Sequence, residues 1–472
     1  MARITPATRL RRRVLCVAAT SAVVFAYLLF RKAEVFAHFR AGDDPPFVVL
    51  YTATFAWLLW TTLLAYAETP HRAPPELQGN LDDAQVTVLV PVYNEDPGWV
   101  RRSLQSLLDQ TRRPDAVNIC DDGSNVDYEA ERAWFLAAAK RAGVRATWQR
   151  TANRGKRHAQ ITAADQSPDT AYFVTIDSDA DLDRNCLHEL LQPFADPRVQ
   201  SSAAVVLSAN THANWLTRMF DLYAVTWQLT DRSTQSVLGS VAVNSGVCAA
   251  YRAALIRDHR HAYLNETFLG RPVAFSDDSL LTLFAKLRGR TVQQPSALAL
   301  TAMPETVGHH LRQQLRWMRG STIRAWWRVK YLPLTGYAFW NQVASWFLTL
   351  VGTCVFLWLF LVQPFTIGVP VWTLVTVPIL LGYLRGLRYL AIRVHGESLR
   401  GRLGTFALAP LAVLWGFTVL RAVRWYGMAT CARTGWGTRD VVEVHLATDR
   451  AHRAEALSSA TGMPSARSQG FG

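Results

Sequence analysis

The chain has 472 residues, of which 50% are hydrophobic and only 18% are charged, and it contains 17 tryptophans. These proportions exclude a disordered protein and argue against a simple soluble enzyme. Lysine and arginine number 50 against 36 acidic residues, and the resulting net charge of +14 suits a nucleic acid, a membrane or a phosphate-bearing ligand as partner.

Two apolar segments lie near the start of the chain. An arginine cluster in residues 9–13 precedes an apolar run over residues 14–30, and a second run over residues 47–67 contains no charged residue. The second run is long enough to cross a hydrocarbon core of about 30 Å. Because basic residues mark the cytoplasmic side, we predict two transmembrane helices within residues 1–69, with residue 70 again in the cytoplasm.

Residues 70–335 have a different sequence pattern, in which short runs typical of β-strands alternate with predicted amphipathic helices. The predicted strands cover residues 86–92, 116–120 and 171–176, and a predicted helix over residues 128–141 ends at Gly143. This order predicts an α/β domain with an open, mostly parallel sheet and helices on both faces. In such sheets, ligands bind at the carboxyl ends of the strands.

Polar side chains follow each of the three strands. The groups are Tyr93, Asn94 and Glu95; Asp121, Asp122, Gly123 and Ser124; and Asp177, Ser178 and Asp179. Turn preference can explain one such group, but three of them at neighbouring strand ends indicate one site. Asp177 and Asp179 supply the oxygen ligands that Mg²⁺ or Mn²⁺ takes, and such an ion would offset the charge of a diphosphate leaving group.

Two further motifs carry charge in patterns that suit this chemistry. Lys156 and Arg157 follow Gly155 at a predicted helix start, an arrangement that favours phosphate binding. Asp277 and Asp278 are adjacent carboxylates that raise each other's pKa, which is typical of a general base.

A later helical segment presents Gln313, Arg316 and Trp317 on one face, because they lie at positions i, i+3 and i+4. A polar amide, a cation and a large ring together suit a sugar or phosphate ligand. The alternative is a helix at the membrane interface, with arginine and tryptophan reaching to the polar region.

Three more apolar stretches follow, at residues 343–362, 369–390 and 406–423. We predict transmembrane or re-entrant helices within residues 336–430, and arginines between the last two stretches mark that loop as cytoplasmic. Pro410, Arg421 and Arg424 make a simple crossing by the last stretch unfavourable. Residues 449–472 are polar, and we predict a disordered tail there.

These motifs, in this order, resemble those of the membrane-embedded processive family 2 glycosyltransferases, which include cellulose, chitin and hyaluronan synthases. The resemblance covers about residues 14–440 and is greatest to the hyaluronan synthases. It implies a GT-A, Rossmann-like cytosolic catalytic domain inserted between transmembrane helices. Residues 436–439 are similar to the WGTR element of hyaluronan synthases, so residues 431–448 are expected to form a gating segment over the nucleotide.

The resemblance also implies roles for individual residues. Asp278, beside Asp277, is the expected catalytic base, and Asp177 and Asp179 are the expected ligands of Mg²⁺ or Mn²⁺. The acceptor site is expected at Ser245, Gly246, Cys248 and Trp317. The expected nucleotide-sugar contacts are Tyr93, Glu95, Asp121, Asp122, Lys156, Arg157, Asp177, Gln313, Arg316, Trp317, Trp436, Thr438 and Arg439.

Two positions depart from the family pattern near the expected acceptor site. Ser279 stands where the family usually has an arginine after the second aspartate, and the segment before Gly246 lacks the usual paired cysteines. These departures affect the identity of the sugar more than the chemistry.

The expected function is therefore a processive, inverting polymerase that uses UDP-GlcNAc and UDP-GlcA and exports a β-linked polysaccharide through its own channel. The alternatives are a chitin or chitooligosaccharide synthase that uses UDP-GlcNAc alone, a non-processive lipid glycosyltransferase, and an inactive membrane scaffold. The expected partners are UDP-sugars, the growing polysaccharide and the lipid bilayer of the plasma membrane, with the catalytic domain in the cytoplasm. A nucleic-acid partner is not expected, because much of the basic excess flanks membrane segments.

Overall fold

The computed structural model describes residues 45–357, 361, 379–380, 382–392 and 398–435, apart from the side chains of residues 45–55 and 355. The strands are β1 (Val86–Val92), β2 (Ala116–Asp121), β3 (Arg145–Arg150), β4 (Tyr172–Ile176), β5 (Asp181–Leu182), β6 (Val199–Ser208), β7 (Cys248–Arg252), β8 (Thr267–Phe268), β9 (Arg271–Pro272) and β10 (Arg290–Thr301).

The first ten helices of the described residues include the apolar α1 and the helices that cover the sheet. They are α1 (Pro45–Tyr66), α2 (Pro75–Asp82), α3 (Pro97–Leu108), α4 (Glu129–Ala142), α5 (Lys156–Ala164), α6 (Cys186–Leu191), α7 (Trp215–Trp227), α8 (Ser233–Val237), α9 (Ala253–Asp258) and α10 (Arg260–Leu264). A π-helical turn, Gln228–Arg232, joins α7 to α8, and a short 3₁₀ helix, Gln192–Ala195, follows α6.

The later helices carry the second half of the site and the apolar C-terminal region. They are α11 (Asp277–Arg288), α12 (Val307–Tyr331), α13 (Tyr337–Leu357), α14 (Leu399–Ala407), α15 (Ala409–Phe417) and α16 (Val419–Ala429), with a 3₁₀ helix at Leu387–Ala391. The predicted stop after α4 is confirmed, because Gly143 adopts the left-handed conformation that ends a helix.

Eight strands form one mixed sheet in the order β3-β2-β1-β4-β7-β6-β10-β5. Strands β1 to β4 pair in parallel, as predicted, and β6 pairs in parallel with β10. The predicted mostly parallel sheet needs correction at β7, which runs antiparallel between β4 and β6, and at β5. A short apolar run carries no signal of its direction, which is decided by the strands beside it.

Alternate residues of the central strands face two separate apolar cores. On one face, Val88 packs in a cluster with Leu104 of α3 and Phe135 of α4. On the other face, Leu89 packs in a cluster with Ile161 of α5 and Leu281 of α11. Helices therefore cover both faces of the sheet, as predicted, because successive side chains of a strand point in opposite directions.

The predicted apolar segment at 14–30 lies outside the described residues, and so does half of the segment at 369–390. The segments at 47–67 and 343–362 correspond to α1 and, for the most part, α13. Within the described ranges, one helical stretch, Leu399–Ala429, is long and apolar enough to cross a membrane by length and composition.

The stretch from α14 to α16 is not one straight helix. Its backbone is interrupted at Leu408 and at Thr418, so it divides into three helices of 9, 9 and 11 residues. A β-carbon added to Gly416 would lie 3.1 Å from the ring of Tyr223 in α7, and one added to Gly427 would lie 2.7 Å from Cβ of Met318 in α12. Glycine thus allows this stretch to approach α7 and α12 closely.

Candidate active site

The carboxyl ends of β1, β2 and β4 lie side by side, so the three polar groups predicted from the sequence meet at one edge of the sheet. The loop after β1 is hydrogen-bonded to the loop after β2. The backbone amide of Asn94 donates to Oγ of Ser124 at 3.0 Å, and the amide of Asn125 donates to Oδ1 of Asn94 at 2.7 Å. Asn94 has a positive φ of 45°, a conformation that asparagine tolerates better than most residues.

Glu95 is buried in this loop, whereas Tyr93 is partly exposed. The hydroxyl of Tyr128 donates to the carbonyl of Glu95 at 2.7 Å and lies 2.6 Å from its amide nitrogen. The next residue, Asp96, caps helix α3 by accepting from the amide of Gly98 at 2.9 Å. The structure therefore fixes the backbone of this loop at the edge where the predicted nucleotide contacts converge.

Both aspartates at the end of β2 are buried, and their carboxylates bind backbone amides. Oδ1 of Asp121 accepts from the amide of Ser124 at 2.9 Å. The two oxygens of Asp122 accept from the amides of Arg154 at 2.9 Å and Gly155 at 2.8 Å. Burial raises the pKa of Asp122, while these two hydrogen bonds favour its ionised form. Asp122 thus fixes the loop that begins α5.

Lys156, the first residue of α5, lies at the centre of the acidic cluster. Its Nζ is 2.6 Å from Oδ1 of Asp177 and 3.3 Å from Oδ2 of Asp277. Burial opposes the charge of Lys156, but Asp177, Asp277 and Asp278 together raise its pKa above the ordinary value. Lys156 is therefore a permanent cation, and it connects the end of β4 to the start of α11.

Asp277 and Asp278 differ in their pKa values. Burial opposes the charge of Asp277, but Lys156 and Arg157 lower its pKa below the ordinary value. Burial and the charge of Asp277 raise the pKa of Asp278 to about 6. Asp278 is thus more basic than an ordinary aspartate and is still ionised at neutral pH, which suits a general base.

The predicted acceptor segment passes directly over these groups. A β-carbon added to Gly246 would lie 3.6 Å from both Oδ2 of Asp278 and Nζ of Lys156. The amide of the buried Asn244 donates to Oγ1 of Thr282 at 3.0 Å, and that hydroxyl donates to the carbonyl of Asp278 at 2.7 Å. The segment is therefore tied to the helix that carries Asp278.

The other predicted acceptor residues lie close by in the chain. Ser245 is partly buried, and Cys248 is buried as the first residue of β7, where it pairs with Ile176, the residue before Asp177. The Sγ of Cys248 lies 4.0 Å from that of Cys186, and it points into the apolar core beneath the sheet edge. In this structure Cys248 contributes to the site through its backbone.

Arg157 occupies a different place from the rest of the predicted donor site. Its guanidinium is buried, and it donates to the carbonyls of Tyr263 and Phe275 and pairs with Glu266 at 2.7 Å. The positive charge predicted to face a phosphate is therefore directed into the protein. The physical reason is that Arg157 lies on the inner face of α5, one residue beyond Lys156.

The predicted metal ligands follow β4 on one short turn. Asp177 contacts Lys156, and Oδ2 of Asp179 accepts from Oγ1 of Thr301 at 2.7 Å. Among the residues that the structure describes, no group of three or more His, Cys, Asp or Glu side chains forms a metal cage. Two carboxylates on one turn nevertheless match the ligand set of Mg²⁺ or Mn²⁺, which keeps several positions for water and phosphate oxygens.

The remaining predicted residues lie on α12 or beyond the described part of the chain. Gln313 and Arg316 are partly exposed on α12, and the side chain of Trp317 is 47% exposed, so this face is open to a ligand or a membrane. Trp436, Thr438 and Arg439 lie outside the described residues, which end at Gly435.

Sequence reasoning missed Glu266 and Arg324, which contact the site from behind. Nε of Arg324 donates to Oγ of Ser279 at 3.0 Å, so a guanidinium lies against the serine that replaces the family arginine. Glu266 pairs with Arg324 and Arg157. No local pattern reveals these contacts, because they join segments 58 and 109 residues apart.

The edge thus brings together the basic carboxylate of Asp278, the cation of Lys156, the carboxylates of Asp177 and Asp277, and Gly246, which has no side chain. A base beside a cation can deprotonate a hydroxyl and stabilise a departing anion in one step.

Known proteins share sequence similarity with this chain. The family described as Glycosyl transferase family group 2 matches residues 172–392. A hyaluronan synthase of Streptococcus pyogenes serotype M3 is 30% identical over 374 residues, which cover 78% of this chain and 86% of that protein. An N-acetylglucosaminyltransferase of Rhizobium meliloti is 33% identical over 244 residues, which cover 51% of this chain and 56% of that protein.

A solved structure shares the fold. The mannosyltransferase PcManGT from Pyrobaculum calidifontis, in complex with GDP-Man and Mn²⁺, matches with a TM-score of 0.51 and 20% sequence identity. The match covers 83% of this chain and 99% of that one. The catalytic domain described above is accordingly GT-A-like, with a Rossmann-like mixed sheet.

Proposed function

This chain belongs to glycosyltransferase family group 2, and from that premise we propose that it polymerises UDP-sugars processively into a β-linked polysaccharide. One observation carries the proposal: Asp278, Lys156 and Gly246 lie together at the carboxyl edge of the sheet, where a β-carbon added to Gly246 would lie 3.6 Å from both Oδ2 of Asp278 and Nζ of Lys156. A basic carboxylate and a cation this close to one another can act on an acceptor hydroxyl and a leaving diphosphate together.

The reaction proposed is a single inverting displacement. Asp278 takes the proton of the acceptor hydroxyl, whose oxygen attacks the anomeric carbon of the donor sugar. The bond between that carbon and the diphosphate oxygen breaks, and UDP departs with the bonding electrons. Lys156 stabilises the charge that develops on the diphosphate, and no covalent bond to the enzyme forms.

Asp177 and Asp179 are the proposed ligands of Mg²⁺ or Mn²⁺, since their donor set is oxygen only and they lie at the strand end beside Lys156. When bound, the ion neutralises charge on the diphosphate. The Mn²⁺ in the mannosyltransferase complex supports a divalent ion in this fold.

The proposed donor site extends from this cluster along the loops after β1 and β2, with Tyr93, Glu95, Asp121 and Asp122 near the nucleotide. Asp122 acts there through the backbone of Arg154 and Gly155, because both of its oxygens are bound to their amides. Trp436, Thr438 and Arg439 remain proposed contacts of the nucleotide.

The proposed acceptor site lies beside Gly246 and along the face of α12 that bears Gln313, Arg316 and Trp317. Bilayer contact is proposed for the apolar helices, with the catalytic domain in the cytoplasm and the polymer leaving through a channel that they form. The stretch Leu399–Ala429, which is long and apolar enough to cross a membrane, supports this location.

The donors proposed are UDP-GlcNAc and UDP-GlcA, on the strength of the relationship to a hyaluronan synthase over most of both chains. The rhizobial N-acetylglucosaminyltransferase, which is 33% identical over half of this chain, favours a second candidate that uses UDP-GlcNAc alone. The third candidate is a non-processive transfer of sugar to a lipid, and the experiment must distinguish it from the two polymerases.

The test is UDP release by the purified, detergent-solubilised full chain with Mg²⁺ or Mn²⁺, with Asp278→Asn as the inactive control. Donors are UDP-GlcNAc, UDP-GlcA and UDP-glucose, each alone, and the first two together. Turnover that needs both, with a hyaluronidase-sensitive product, supports the proposal. A chitinase-sensitive product from UDP-GlcNAc alone establishes the second candidate.

The length of the product distinguishes a processive enzyme from a non-processive one. Long chains at early times, when most acceptors are still unextended, are expected of a processive enzyme. Products extended by one sugar on a lipid would overturn the polymerase proposal in favour of the third candidate.

A further inference from the structure

A buried ionic cluster lies directly behind the proposed active site. Glu266 accepts from Arg157 at 2.7 Å and from Arg324 at 2.7 and 3.2 Å, and Nε1 of Trp327 donates to the same carboxylate at 2.9 Å. The side chains of Arg157 and Glu266 are 6% exposed, and that of Arg324 is fully buried. Burial opposes the charge of Glu266, but the two guanidinium groups lower its pKa, so it is anionic.

The two arginines reach different parts of the site. Arg157 is the residue after Lys156, and its Nη2 donates to the carbonyl of Phe275 at 2.8 Å. Arg324, on α12, donates from Nε to Oγ of Ser279 at 3.0 Å and from Nη2 to the carbonyl of Ser276 at 3.4 Å. One carboxylate therefore joins the helix of Lys156 to the turn that precedes Asp277.

That turn has a strained backbone. Ser276 has a φ of 62° and a ψ of 40°, the left-handed conformation that a residue with a β-carbon adopts only at an energetic cost. Arg157 and Arg324 stabilise this turn by donating to the carbonyls of Phe275 and Ser276, and the turn also packs closely against α12. A β-carbon added to Gly320 of α12 would lie 2.4 Å from Oγ of Ser276, so glycine permits this contact.

Stability alone does not account for the cluster. Desolvating three ions is costly, and well-packed apolar side chains often replace a buried ionic group without loss of stability. What apolar side chains cannot do is donate hydrogen bonds to the carbonyls of a strained turn. The direction of Asp278 depends on that turn, since it is the second residue of α11.

We propose that Glu266, through Arg157 and Arg324, is a positioning group for sugar transfer. It keeps Asp278 and Lys156 in fixed positions relative to each other. The proposal rests on the transferase function proposed above, and it adds residues that touch neither donor nor acceptor. Their effect is exerted through the turn at Ser276 and the start of α5.

The principal test is Arg324→Lys in the full-length enzyme. Lysine keeps a cation for Glu266 but loses the planar set of donors that also reaches Ser279 and Ser276. We expect kcat to fall at least about 10-fold, as for residues that orient a reactive group, while KM for the donor and Kd for UDP stay within about 2-fold. Arg288→Lys is the matched control, because Arg288 pairs with Asp258 at the far end of the helix that bears Asp278.

A second variant keeps the proposal testable if Arg324→Lys does not fold. Ser279→Ala removes the hydroxyl that accepts from Nε of Arg324 and donates to the carbonyl of Ser276 at 2.9 Å, so it breaks the link between Arg324 and the turn while leaving Glu266 paired. A several-fold loss of kcat at unchanged UDP affinity is expected. Unchanged kcat in a folded Arg324→Lys enzyme, or in Ser279→Ala, overturns the positioning role. A wild-type enzyme that releases no UDP from any donor overturns the proposed function itself, which distinguishes the two failures.

Discussion

Nζ of Lys156 lies 2.6 Å from Oδ1 of Asp177, although the two residues come from a helix start and a strand end 21 positions apart. The contact places a permanent cation beside the carboxylate proposed to face the diphosphate. Because Lys156 also contacts Asp277, its removal leaves several carboxylates together without a balancing charge.

Lys156→Met is therefore expected to lower turnover by about 100-fold or more, the magnitude typical when a donor to a developing anion is lost. UDP release at saturating donor measures the effect. Lys140→Met, on the exposed end of α4, is the matched control and should retain full turnover. Equal activity in the two variants would show that Lys156 has no part in the reaction.

Asp278 gives the reaction a predicted pH dependence. Its pKa is raised to about 6, and a general base must be ionised, so kcat/KM should be constant above pH 7 and fall about 10-fold per pH unit below pH 6. Asp278→Asn should remove turnover and leave UDP binding intact, whereas Asp169→Asn, an exposed substitution, should retain the wild-type profile. An acidic limb far from pH 6 would assign the base to another group.

Gly246→Ala tests whether the acceptor lies beside Gly246, Asp278 and Lys156. Since the added methyl group has only ordinary contacts at 3.6 Å, the fold should tolerate it, with a change in stability of no more than about 1 kcal/mol. The methyl group would nevertheless occupy space proposed for the acceptor hydroxyl, and displacement of the acceptor by about 1 Å can cost 100-fold in rate. We expect kcat/KM for the acceptor to fall at least about 10-fold.

The control for this variant is Gly79→Ala on α2, where an added β-carbon meets nothing within 4 Å. Thermal unfolding of both variants separates a loss of fold from a loss of acceptor binding. Wild-type kinetics in Gly246→Ala would place the acceptor elsewhere.

Metal dependence gives the fourth prediction. Chelation with EDTA should abolish UDP release, and added Mg²⁺ or Mn²⁺ should restore it. Without the cation, the negative charge of the departing diphosphate would lie beside two negatively charged carboxylates. Asp179→Asn should raise the Mn²⁺ concentration needed for half-maximal activity by about 10-fold, since it removes one anionic ligand. Full activity in EDTA would contradict the proposed metal ligands.

Local patterns predicted much of this fold. The run Val86–Val92 is a buried strand with the predicted bounds, and α4 ends at Gly143 as predicted, because strand and cap signals lie within a few residues. The three polar strand ends meet at one edge since parallel strands place their carboxyl ends together.

Other features followed only from tertiary packing. The direction of β7 depends on β4 and β6 rather than on its own apolar residues. Arg157 has the sequence signature of a phosphate ligand, yet it faces inward because it lies on the buried side of α5. Asp122 binds two amides of the loop between β3 and α5, a contact that its motif does not specify.

The sequence by itself determined which chemical groups this protein has, among them paired carboxylates and a lysine at a helix start, each placed by short-range signals. Only the tertiary structure decided which of them share one point in space and which are neutralised inside the protein. Glu266 shows the reason, since its partners lie 58 and 109 residues away. Charges so distant in the chain come within hydrogen-bonding distance only because burial of the two apolar faces of the sheet fixes the helices that carry them.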